Sequence, residues 1–183
     1  MTEESALIAR AQNGDKEAFR LLVESHAQRL YALAYDLTAN RLDAEDLVQE
    51  VFIKVYRHLA SFRGNAKFST WLHKITVNTW LNIRKSKYYQ SRQNERTLEE
   101  KEHNMIRANS DPATIVHEHI SLALNRLSER ERSAFVLRHY HDMPLREIGS
   151  ALKITTGTVK SLLFRSVKKL QKQLELYRQE LEA

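Results

Sequence analysis

Lys160, Ser161, Phe164 and Arg165 sit in a stretch, TTGTVKSLLFRSVKKL (155–170), that also carries Lys168 and Lys169 and has no acid. At helical spacing they leave one face free to meet base edges through hydroxyl and guanidinium groups and phosphates through positive charge. A helix about 10 to 12 Å across fits the major groove of B-DNA. A second stretch, FRGNAKFSTWLHKITVNTWLNIRKSK (62–87), carries Lys74, Asn78, Asn82 and Lys85 at i, i+4, i+8 and i+11, on one side of a helix. Phe62, Phe68, Trp71 and Trp80 lie among them. Aromatic rings beside amides and bases suit single-stranded nucleic acid, whose unstacked bases can stack or enter pockets. Aromatics at helical spacing also build cores, and Trp71 and Leu72 are expected to be partly buried. A third set, Asp43, Glu45, Asp46, Gln49 and Glu50 followed by Lys54 and Arg57, runs from acidic to basic along one helix. The helix dipole rewards that order, and such a face can also dock a protein.

The charge distribution links the first two sets. The chain has 183 residues and a net charge of +6. Between Glu50 and Glu95 there is no acid but nine bases: Lys54, Arg57, Arg63, Lys67, Lys74, Arg84, Lys85, Lys87 and Arg92. Between Glu147 and Glu175 there is again none, against six: Lys153, Lys160, Arg165, Lys168, Lys169 and Lys172. Two separated acid-free blocks on amphipathic helices point to two contacts with one polyanion.

Other chemistry is not supported. Cysteine is absent, which excludes disulfides and thiolate metal sites. His117 and His119, at i and i+2, point apart on a helix, and His139 and His141 read as local polar residues, so no metal is expected. No Gly-rich phosphate loop, nucleophile elbow or paired-acid constellation is present, so neither a cofactor nor an enzyme is expected. No apolar run approaches the roughly 20 residues that cross a bilayer, and the start lacks the order of a signal peptide, so the expected location is the cytoplasm without membrane insertion.

The elements that must hold these faces are helical. Four Gly and two Pro are too few for the turns of a β-sandwich or barrel. Asp15 is a plausible cap for a helix carrying Ala18, Phe19, Leu22, Val23, Leu30, Leu33, Ala34 and Leu37. Asp43 is a plausible cap for the next, whose stripe is Leu47, Val48, Val51, Phe52, Val55 and Leu59. A further helix starts near Ser69 or Thr70. Residues 88–115 are polar and short of core formers, and read as a flexible linker. The expected organisation is therefore all-α, with two small helical domains, 1–87 and 116–183, joined by that linker.

In the second domain, MPLREIGSALKITTGTVKSLLFRSVKKL follows the pattern of a helix-turn-helix. Pro144 suits a first turn, and Leu145, Ile148 and Leu152 form one face. Gly149 permits a close approach, and Lys153-Ile154 makes the turn. Thr155 caps the second helix, whose expected buried stripe is Val159, Leu163, Val167, Leu170 and Leu174. Thr156, Lys160, Ser161, Phe164, Arg165 and Lys169 are left outside it.

In order, GDKEAFRLLV, DAEDLVQEVFIKVYRHL, FRGNAKFSTWLHKITVN and LSERERSAFVLRHYHDMPLREIGSALKITTGTVKS resemble the extracytoplasmic-function group of bacterial RNA polymerase sigma factors over nearly the whole chain. The resemblance implies a sigma-2 bundle and a sigma-4 helix-turn-helix domain. It implies partners: core RNA polymerase, through the β′ clamp helices and β, promoter DNA, and an anti-sigma factor. It places Asp43, Asp46, Leu47, Gln49, Glu50, Phe52 and Lys54 on the polymerase. It places Phe62, Arg63, Gly64, Asn65, Phe68, Trp71, Lys74 and Asn78 on the melted −10 element, with Phe62 and Asn78 at positions tied to a flipped base. Arg138, Thr156, Lys160, Ser161, Phe164, Arg165 and Lys169 fall on the −35 duplex. The family usually has Arg where Leu162 stands. A stand-alone helix-turn-helix regulator is the alternative, but a sensing domain has no need of the acid-free aromatic block.

Overall fold

The computed structural model describes residues 3–93, 120 and 122–181. They fold into helices with no strand among the described residues, as expected. The helices are α1 (Glu3–Gln12), α2 (Lys16–Thr38), α3 (Arg41–His58), α4 (Phe68–Gln93), α5 (Glu129–His139), α6 (Leu145–Leu152) and α7 (Thr156–Leu181), with a single 3-10 turn over Leu59–Ser61.

Local chemistry sets most boundaries. Asp15 caps α2 by accepting the Ala18 N–H at 3.0 Å. The cap of α3 is Asn40 and not Asp43: the Asn40 side chain accepts the Asp43 N–H at 3.1 Å, which leaves Asp43 in the first turn. Both residue types cap well, and only the backbone selects between them. Helix α4 starts at Phe68, one residue before the expected start, and continues to Gln93. Residues 88–93 of the expected linker are thus helical, and 94–115 lie outside the described residues, as do His117 and His119. Ser128 and Glu131 close a reciprocal capping box on α5.

Helices α2, α3 and α4 enclose Leu22, Leu30, Leu33, Leu37, Leu47, Val51, Val55, Leu72 and Val77, all almost fully buried. Burying one such side chain is worth roughly 1.5 to 3 kcal/mol. Leu137, Ile148, Leu152, Val159 and Leu162 join α5, α6 and α7 in the same way. One apolar cluster runs across both halves. A smaller one gathers Ala123, Leu124, Leu127 and Leu170 beside Phe135.

The inward face of α7 differs from the expected stripe. Val159, Leu162, Ser166 and Leu170 are buried, Leu163 and Val167 flank them, and Leu174 is exposed. Leu162 therefore packs in the core. Both stripes have helical period and share Val159 and Leu170, and packing against the neighbouring helices selects the one that buries Leu162 and Ser166.

Candidate nucleic-acid interface

The helix-turn-helix is built by three residues. Lys153 takes a left-handed φ of 55° and ends α6, its N–H returning to the Gly149 carbonyl. A Cβ on Gly149 would lie 2.8 Å from the Ile154 carbonyl oxygen, so only glycine lets the turn close this tightly. Thr155 caps α7 by accepting the Thr158 N–H at 3.2 Å. With Val159, Leu162 and Ser166 turned inward, Thr156, Lys160, Ser161, Phe164, Arg165 and Lys169 all stand on the exposed face. Phe164 is 70% exposed, an apolar group on a basic surface.

That face is not freely mobile. Glu131 of α5 is almost fully buried and takes a 2.7 Å hydrogen bond from Lys169 Nζ, while Arg165 Nε lies 3.8 Å from its other oxygen. Burial pushes the Glu131 carboxyl up, but the Lys169 and Ser128 hydrogen bonds together outweigh it and hold the group below the usual carboxylate range. Lys160 has no ion-pair partner among the described residues. Arg138, expected on the same DNA surface, is exposed and donates to the Met143 carbonyl at 3.3 Å.

The aromatic block forms the second face. Phe62, Phe68 and Trp71 pack together, with ring centroids 5.2 to 5.6 Å apart. Phe68 is buried, and Phe62 and Trp71 are half-buried. Phe68 therefore supports the surface from beneath and is not part of it. Arg63, Gly64 and Asn65 form the exposed loop before α4, with Gly64 at a φ of 71°. Gln12 of α1 fixes the start of this loop, its amide donating to the carbonyls of Leu59 (3.0 Å) and Phe62 (2.8 Å). Lys74 is exposed, and the Asn78 amide donates to the Lys74 carbonyl at 2.7 Å and the Ala151 carbonyl at 3.1 Å.

Comparison with known proteins identifies the two halves. Residues 22–89 match the family model of Sigma-70 region 2, and residues 123–172 that of Sigma-70 region 4. The chain is 34% identical over 176 residues to the ECF RNA polymerase sigma factor SigW of Bacillus subtilis, covering 91% of this chain and 94% of that one. It is 30% identical over 182 residues to the RNA polymerase sigma-H factor of Pseudomonas aeruginosa, covering 94% of each. The chain belongs to the extracytoplasmic-function sigma factors.

As a member of that family it is a sigma subunit of RNA polymerase that recognises promoters, and the stand-alone regulator is not favoured. The fold agrees with that of a solved sigma factor, RpoE of Bartonella quintana in complex with the anti-sigma factor NepR, at a TM-score of 0.70 and 23% identity over 86% of this chain and 96% of that one. No helix among the described residues is long and apolar enough to cross a membrane.

The acidic face of this sigma factor lies on α3. Asp43, Asp46, Gln49 and Glu50 are exposed, and Asp43, Asp46 and Glu50 line a cleft of about 390 Å³. Its other wall includes Asn125, Glu129 and Arg132 of the second half. Leu47, expected on the docking face, is only 1% exposed and belongs to the core, because it follows the inward stripe with Val51 and Val55. Phe52 is half-buried against the core, and Lys54 is tied to Glu50 at 3.1 Å and Thr79 at 3.3 Å.

The contacts between the two halves escaped sequence reasoning. Arg132, buried, reaches α2: its Nε donates to the Asp36 carbonyl at 3.0 Å, and an Nη to Asn125 at 2.6 Å. That carbonyl belongs to the last turn of α2 and has no partner within the helix. Thr70 donates to Glu147 at 3.0 Å, and Arg84 lies 3.5 Å from Glu129. His141, expected to be a local polar residue, instead lies 3.3 Å from Asp36 of the first half. Partners up to about a hundred residues apart carry no periodic signal.

Proposed function

We propose that this sigma factor directs core polymerase to promoters through three separate faces and catalyses no reaction of its own. Asp46, Gln49 and Glu50 on α3 dock the polymerase. The Arg63–Asn65 loop with Trp71, Lys74 and Asn78 takes the single-stranded −10 element, whose bases must leave the stack before such groups can bind them. The exposed face of α7 reads the −35 element as duplex, Lys160 and Arg165 meeting phosphates and Thr156 and Ser161 lying near base edges. The observation that carries this reading is the exposed acid-free face of α7, presented whole on a tight helix-turn-helix and separate from the aromatic loop.

Two functional units follow from this reading: one from the N-terminus through α4, and one from about residue 116 onward. The polymerase as partner puts the protein in the cytoplasm. An anti-sigma factor is a further expected partner, in line with RpoE and with CnrH, whose solved structure contains the cytosolic domain of CnrY. Run-off transcription with purified core polymerase tests the whole reading. Promoter-specific transcripts are expected only when this protein is added, and transcripts of equal specificity without it would overturn the assignment.

A further inference from the structure

The seam between the two halves lies over the surface assigned above to the −10 strand. A cavity of about 290 Å³ is walled by Phe62, Trp71 and Lys74 on one side and by Glu147 and Ala151 of α6 on the other. The Asn78 amide, the group expected to read a base, is engaged by the Ala151 carbonyl at 3.1 Å, and the Thr70 hydroxyl by Glu147 at 3.0 Å. A strand cannot use these groups while α6 holds them.

Elsewhere on the same seam the contact is titratable. His73 of α4 meets His141 of the α5–α6 loop, with ring centroids 5.2 Å apart and ring planes at 68°. His141 Nε2 lies 3.3 Å from an Asp36 carboxylate oxygen of α2. His73 Nδ1 is buried and has no hydrogen-bond partner among the described residues. From α2, His26 and Arg29 also face His73; His26 is itself bonded to Glu4 of α1 at 2.9 Å. From the second half, Tyr140 and Arg132 stand near Asp36.

We propose that this seam is a latch: with His73 neutral, the second half covers the single-strand surface of the first, and protonation of His73 parts the halves and frees Asn78 and Thr70 for DNA. The proposal rests on reading α4 as the −10 surface. A neutral imidazole carries one N–H, and Nδ1 can remain the unprotonated nitrogen. A protonated ring must carry a proton on Nδ1 as well, where no acceptor waits and where His141, His26 and Arg29 add positive potential. Asp36 does not relieve this, because its carboxylate lies against His141 Nε2 and offers His73 Nδ1 no acceptor. Burial first, and these neighbours second, push the His73 pKa down to about 4 in the docked arrangement. With the halves parted, His141 and the cover of the second half are gone, and the ring rises toward the ordinary value of about 6.5 with His26 and Arg29 still beside it. The docked state therefore binds the proton less tightly. Its advantage is complete above about pH 6.5 and shrinks as the pH falls from there toward 4.

The absence of cysteine makes the test direct. Lys16→Cys and Lys172→Cys, both exposed and one on each half, take a donor and acceptor dye pair for energy transfer. Between about pH 7.5 and 5.5 the ratio of open to closed molecules is expected to rise severalfold, with about tenfold as the ceiling for a complete return to about 6.5. Binding of a single-stranded oligonucleotide should rise in parallel on the same samples. His73→Phe, which cannot take a proton, should stay closed throughout; His73→Gln serves the same purpose if the phenylalanine does not fit. Transfer that is constant across the range, or that falls equally in wild type and the His73 variants, would overturn the latch. Opening without any gain in oligonucleotide binding would leave the latch standing and overturn instead the assignment of α4 as the capture surface.

Discussion

A single buried carboxylate organises the DNA-facing end of the second half. Glu131 closes the capping box with Ser128 and holds Lys169, so its charge serves both a helix start and the orientation of α7. Glu131→Gln keeps the shape and removes the charge. At neutral pH it should lower stability by on the order of 1 to 2 kcal/mol, since hydrogen bonds to charged groups are the stronger kind. The folded-state pKa is depressed, so the carboxylate's contribution is present above the ordinary value near 4.5 and is lost as the pH falls through the folded-state value. Thermal melts of the two proteins should therefore converge below about pH 4.5. A gap that stays constant down to pH 3.5 would mean that the charge is not what Glu131 contributes.

Caps were legible where one candidate stood alone: Asp15 and Thr155 cap as expected, whereas the cap expected at Asp43 falls on Asn40. Element faces were legible to within one rotation. In α7 the apolar residues at 159, 162, 163, 167 and 170 support two overlapping stripes, and only packing against α5 and α6 decides that Leu162 turns inward. Leu162→Ala should then cost about 2 to 4 kcal/mol in denaturant unfolding, as buried leucine truncations do. Phe164→Ala, one turn-face away and mostly exposed, should change stability by no more than about half a kcal/mol while weakening binding to duplex promoter DNA. Equal losses for the two would place α7 in the wrong rotation. An Arg here, the usual residue of the family, would replace a side chain that is only 6% exposed.

At the scale of the molecule, few Gly and Pro and a helical apolar period indicated an all-helical chain, and the described residues are helical. How the units meet was not legible. Asp36 and Arg132, or Asn78 and Ala151, are brought together by tertiary packing that no window of sequence contains. Arg132 is a buried polar element of this seam, and burial lowers its pKa to about 10 without neutralising it at physiological pH. Arg132→Ala would leave the Asp36 carbonyl and Asn125 unpaired. The expected results are a loss of about 1 to 3 kcal/mol in the docking of the halves and a larger radius of gyration by small-angle scattering. An unchanged radius would show that apolar contacts alone hold the seam.

The amide of Gln12 has a practical consequence. The matched family segment begins at residue 22, yet the loop proposed to meet the melted strand is clasped from outside that segment, by the last residue of α1. A fragment trimmed to the family boundary would keep every residue of the loop and lose the hand that holds its entrance. Its Leu59 and Phe62 carbonyls would turn to water, and binding measured on such a fragment would describe a looser surface than the intact chain presents.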